Sequence, residues 1–192
     1  LNDVPIGVNI KTAQISTFDF AETLSVCTSE NHSAAKKFFP KLFEILSEIA
    51  ETKIIVINSL KELKIEETSN IKYYDNSYDK VINVINKKIS KYFENESTEN
   101  IIVVFLGYNL LQRKLEKLKE DDDEIVTIED LIYNAKSINN FKFILYDKEE
   151  ALSRLGDGKI DSLFKRSRGL WIGKGFDGQQ TFDVINQYTD AV

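Results

Sequence analysis

Five near-continuous runs of apolar, largely β-branched residues punctuate this chain: Thr23 to Cys27, Ile54 to Ile57, Ile101 to Leu106, Phe141 to Tyr146 and Gly169 to Ile172. Runs of this kind suit strands buried on both faces, the condition of a mostly parallel sheet. The segments between them carry helical spacing. Phe38, Phe39, Leu42, Ile45, Leu46 and Ile49 form one stripe on a helix expected from Ser33 to Glu51, with Pro40 expected near its first turn, where proline is tolerated. Val81, Ile82, Ile85, Ile89 and Phe93 mark a second helix, and Leu111, Leu115 and Leu118 a third. Ile128, Leu131, Ile132 and Ala135 mark a fourth, capped by Thr127 with Asp130 three residues on.

The resulting β-α-β-α-β-α-β order predicts an α/β doubly wound sheet, whose ligands sit beyond the carboxyl ends of the strands. Ile6, Val8 and Ile10, then Ile15, Phe18 and Phe20, alternate as in a short N-terminal antiparallel pair, expected to extend the sheet edge. At 192 residues the chain is expected to form a single domain, 1–192. It starts at Leu1 and has no methionine, so it reads as a piece of a longer or processed chain. No apolar run approaches the roughly 18 residues of a membrane span, which predicts a soluble piece without direct membrane contact. With 25 basic and 31 acidic residues the formal charge is −6, the wrong sign for general attraction to nucleic acid. Cys27 is alone, so no internal disulfide can form. The acidic run Glu120 to Glu124 reads as a solvated loop between helices, since a metal there would need ligands converging from elsewhere.

Function should lie where the first central strand meets the first long helix, at Thr28, Ser29, Glu30, Asn31, His32, Ser33, Ala34 and Ala35. A phosphate-binding loop needs glycine at its first and sixth places, lysine at the seventh, and Ser or Thr at the eighth to hold Mg²⁺. Here those places hold Thr28, Ser33, Ala34 and Ala35, so all four defining side chains are missing. The third strand ends in Leu106 and Gly107, where hydrolysing relatives of this architecture carry acidic residues that organise Mg²⁺ and water. Leu106 and Gly107 can do neither.

The opening Val4-Pro5-Ile6-Gly7-Val8-Asn9-Ile10-Lys11-Thr12, then Phe18-Asp19-Phe20, resembles the start of the FtsK/SpoIIIE-type ATPase domains of the EssC/EccC motor of type VII secretion. The late segment Gly169-Leu170-Trp171-Ile172-Gly173-Lys174-Gly175-Phe176-Asp177-Gly178-Gln179 looks like the Gly-hydrophobic-Trp-hydrophobic-Gly-x-Gly stretch near the end of such domains. With both motifs eroded, the chain looks most like the third, degenerate ATPase domain of a Firmicute EssC. The resemblance implies a P-loop NTPase-like (RecA-like) fold in a membrane-anchored parent facing the cytoplasm. It implies ATP and Mg²⁺ for the parent and no cofactor for this domain. The implied partners are a secreted substrate or its signal segment and neighbouring ATPase domains of the same chain; DNA translocation is not implied.

Trp171, Gly173 and Gly175 are the candidate partner-binding residues, with Trp171 read either as an aromatic anchor beside a peptide pocket or as a structural side chain. The glycines either supply turns or present amides to a ligand. His32 reads as a solvated or N-capping residue with no carboxylate placed locally to orient it. Arg154, Arg166 and Arg168 could serve a neighbouring ATPase domain as an arginine finger or make surface ion pairs. The expected function is substrate recognition and motor regulation. The alternatives are weak ATP hydrolysis with residues borrowed from neighbouring domains, or a structural spacer.

Overall fold

A computed structural model of the chain describes residues 3–8, 12–60, 63–75, 78–89, 92–93, 99–152, 169–174, 182 and 185–188. Two strands, β1 (Asp3–Val8) and β2 (Ile15–Asp19), precede β3 (Leu24–Ser29) and helix α1 (His32–Ser47). Strands β4 (Thr52–Asn58) and β5 (Ile71–Tyr74) follow, then helix α2 (Tyr78–Asn83), which runs on as a π-helical segment over Val84–Ile89. After β6 (Asn100–Leu106) come α3 (Tyr108–Asp121), α4 (Ile128–Ala135), β7 (Phe141–Lys148), the single turn α5 (Glu149–Leu152), β8 (Gly169–Ile172) and β9 (Ile185–Tyr188).

Seven strands form one sheet in the order β5-β4-β6-β7-β3-β8-β9, and every pairing within it is parallel. The five apolar runs are five of its strands. β5 and β9, the two edges, did not stand out as runs because an edge strand needs less apolar surface. The antiparallel pair β1–β2 forms as expected, with Val8 opposite Ile15, but it does not extend the sheet edge. It is a separate two-stranded sheet, and its Val4 and Phe18 pack with Phe20 into the same apolar layer as α1.

Burial divides along the strands as a parallel sheet requires. Leu24, Val26, Val103, Phe105, Phe143 and Leu145 face the layer of α3, α4 and the π segment. Cys27, Ile54, Val56, Val104, Ile144 and Tyr146 face α1. Pro40 lies in the middle of α1, not in its first turn, and it is exposed. Its ring removes one helical hydrogen bond, and burial of Phe38, Phe39, Leu42 and Phe43 around it holds the helix together. Thr127 and Asp130 make the expected capping box on α4, and Gln112 Oε1 accepts from Ile128 N at 3.2 Å to join that helix start to α3.

Candidate functional site

Between β3 and α1 the connection is Glu30 and Asn31 alone. The first two places of the phosphate-loop pattern, Thr28 and Ser29, belong to the strand, and the fifth to eighth, His32 to Ala35, already belong to the helix. A two-residue turn leaves no length to wrap phosphate oxygens with backbone amides. Asn31 caps the helix, its Oδ1 accepting from Ser33 N at 3.0 Å, so one helix-start amide has a side-chain partner. The cap is therefore Asn31 and not His32. Thr28 is buried, and its hydroxyl donates to the Asp147 carbonyl at 2.9 Å.

The lysine place is covered from another strand. Gly173 follows β8 in the left-handed region, φ +94°, and a Cβ added to it would stand 2.8 Å from the Cβ of Ala34. Ala35, at the place of the Mg²⁺-binding hydroxyl, is fully buried in the apolar layer. The two regions singled out from the sequence, the phosphate-loop segment and the stretch after Trp171, thus meet at Ala34 and Gly173. Trp171 itself is 1% exposed, and its indole N–H donates to the Lys174 carbonyl at 3.0 Å. This overturns the anchor reading: the strand register sets Trp171 beside buried Thr28, and β9 covers its other side. Gly175 and the three arginines at 154, 166 and 168 lie outside the described residues.

Leu106 and Gly107 end β6 at the same carboxyl edge of the sheet as Thr28 to Ala35, but not on the strand next to β3. β7 lies between them. This corner is also filled. Ser59, at the end of β4, donates from its hydroxyl to the carbonyls of Leu106 at 2.9 Å and Gly107 at 2.8 Å. Gly107 has φ +81°, and a Cβ there would collide with the Ser59 hydroxyl and stand 2.9 Å from Leu60 Cδ2. The motif places Thr28, Ala34, Ala35, Leu106 and Gly107 themselves carry no cation and no carboxylate.

The end of β7 brings in residues that the motif comparison did not reach. Asp147 is 6% exposed, and its carboxylate accepts from Asn109 N at 2.9 Å and Lys148 N at 2.9 Å, capping the start of α3 from a neighbouring strand. Burial pushes the Asp147 carboxyl above its ordinary range, while the two amides and the nearby charges of His32 and Lys148 pull it back. His32 Nδ1 lies 3.0 Å from Tyr146 Oη, so its ring is tied to β7 rather than simply solvated or capping. Asp147 was legible as the first charged residue after the apolar run ending at Tyr146. Leu110, 51% exposed in the first turn of α3, is a large apolar side chain that this edge presents to solvent.

Among solved structures, the cytoplasmic domain of EssC superposes with a TM-score of 0.61 at 15% identity, over 98% of this chain and 39% of that one. The chain has the fold of the EssC/EccC ATPase domains. The Thermomonospora curvata EccC fragment (ATPases 2 and 3), solved in complex with a signal sequence peptide, gives a TM-score of 0.61 at 13% identity, covering 94% of this chain and 37% of that one. Geobacillus thermodenitrificans EssC (ATPases 2 and 3) gives 0.55 at 10%, over 94% and 35%. This chain thus spans well under half the length of these EssC/EccC chains. No protein-family model and no curated protein matches it. Among the described residues, no helix is long and apolar enough to cross a membrane.

Proposed function

We propose that this chain is a domain of a type VII secretion motor that keeps the EssC/EccC ATPase fold without ATP chemistry of its own. In this reading it recognises the signal segment of a secreted protein, or an adjoining ATPase domain of the same parent, and so regulates the motor. The observation that supports the loss of chemistry is the close approach of Gly173 to Ala34, the residue at the place of the phosphate-binding lysine. The filled corner at Gly107 and Ser59 supports it independently. The secretion setting is supported by fold likeness over nearly the whole chain, and the partner class by the EccC structure that holds a signal sequence peptide. ATP and Mg²⁺ then belong to other domains of a membrane-anchored parent, with this domain on the cytoplasmic side. The net charge of −6 supports a protein partner over nucleic acid.

Two titrations of the purified chain test the reading, one with Mg²⁺-ATP and one with a signal-sequence peptide. Affinity for ATP no tighter than about millimolar, with saturable peptide binding, is the expected pair. ATP turnover that disappears when residues 28–35 are substituted would overturn it. Peptide binding should weaken in Leu110→Asp while Tm stays within about a degree, because this exposed side chain makes little contribution to the core.

A further inference from the structure

A chain of side-chain hydrogen bonds crosses the carboxyl edge, and its direction can be read atom by atom. Ser29 Oγ lies 2.7 Å from the Asn31 carbonyl, which can only accept, so the serine proton is directed there. Ser29 Oγ then accepts from Tyr146 Oη, also at 2.7 Å. With the phenol proton committed, Tyr146 Oη accepts from His32 Nδ1 at 3.0 Å. The neutral imidazole is therefore held with its proton on Nδ1. The ring sits edge-on to Tyr146, with centroids 5.7 Å apart.

Asp147 is the next residue along β7. Tyr146 thus holds the first turn of α1 through His32, and Asp147 holds the first turn of α3 through Asn109 N. Among the described residues, the charged groups on the segments next to His32 are Glu30 and Lys36 on its own segment, and Asp147, Lys148, Glu149 and Glu150 at the end of β7 and the turn after it. Lys174 lies in the turn packed on Ala34. Asp147 is the buried one among them, and buried charges are screened least.

We propose that His32, Tyr146 and Asp147 form a proton-controlled latch, in which protonation of His32 tightens the grip of β7 on the starts of both α1 and α3. An imidazolium keeps the proton on Nδ1, donates more strongly to Tyr146, and favours the ionised Asp147 that accepts from Asn109 N. The positive end of the α1 dipole opposes it, acting on a half-buried ring. The latch spans the edge where this architecture binds its ligands, so its state sets how rigidly that edge is presented. It stands whether or not the secretion reading holds.

His32 is the only histidine in the sequence, so its ring can be followed by nitrogen NMR across pH in the full chain, in Tyr146→Phe and in Asp147→Asn. The expected results are a neutral Nδ1–H tautomer in the parent chain and a shift toward Nε2–H in Tyr146→Phe. Proton affinity of His32 should fall about threefold or more in Asp147→Asn, and the protection of the Asn109 amide, its exchange rate taken relative to the intrinsic rate at each pH, should rise as the parent chain is acidified through the His32 titration. An Nε2–H tautomer in the parent chain overturns the latch, as does an unchanged His32 titration in a folded Asp147→Asn variant. If Asp147→Asn does not fold, Tyr146→Phe and the Asn109 protection profile decide alone: no tautomer shift, or protection that does not change with pH, ends the proposal.

Discussion

Ala34 in the first turn of α1 and Gly173 after β8 approach so closely that a Cβ on Gly173 would lie 2.8 Å from that of Ala34. One alanine and one glycine therefore bring the α1 start and the turn after β8 into close contact, and neither residue is distinctive by itself. The contact requires both a small side chain on the helix and a left-handed backbone at position 173.

Gly173→Ala should lower unfolding free energy by about 2 kcal/mol, combining the left-handed backbone penalty with the contact against Ala34. Urea denaturation measures it. A loss under about 0.5 kcal/mol would mean that the two segments separate easily and that the corner is not closed.

Gly107→Asp puts back a carboxylate at the end of β6. It should cost about 2 kcal/mol or more, since the backbone has φ +81° and the new Cβ would press on Ser59 and Leu60. ATP turnover should stay at background. Measurable hydrolysis in this single variant would show that the corner can open to a nucleotide.

Trp171→Ala removes a fully buried indole and should destabilise the fold by about 3 to 5 kcal/mol. Partner binding by the fraction that remains folded should not change. A variant with unaltered Tm and weakened peptide binding would return Trp171 to the surface role that its burial contradicts.

Asp130 supplies a pH dependence with a definite sign. Burial alone would raise its carboxyl, but the hydrogen bond from Lys119 and two from Thr127 outweigh it and hold the group below the ordinary aspartate value of 3.8. The folded state therefore binds its proton more weakly than the unfolded chain does. This contribution is complete above the unfolded value and is lost as pH falls through the lower folded value. The stability difference between the parent chain and Asp130→Asn, from urea midpoints, should shrink on acidification across that window. A difference that grows instead would contradict the assignment. Thr127→Ala, which breaks the same capping box, should cost about 1 kcal/mol near neutral pH.

The five buried strands, the apolar face of each helix and the Thr127 cap were legible in the sequence because each depends on residues within a few positions of one another. The blank phosphate-loop places were equally plain, since a missing lysine or carboxylate is a fact of residue type. Periodicity says which face of an element is apolar, but not which element will cover it. The antiparallel pair was therefore found while its separation from the main sheet was not. Leu106 and Gly107 were legible as a strand end, but not that β7 would stand between them and β3, and Trp171 stayed open between core and surface.

Strand order is set by how the crossovers stack their helices on the two faces, and it alone brings distant residues together. Thr28 reaches Asp147 across 119 positions, and Ser29 reaches Tyr146 across 117. No local pattern encodes such pairs, because hydrogen-bond geometry fails beyond about 3.5 Å and only the folded sheet brings the atoms within that range. Residue types along the chain left the phosphate-loop pattern without its lysine, hydroxyl and glycines; the packing of β7 and β8 against β3 and α1 decided which residues meet there.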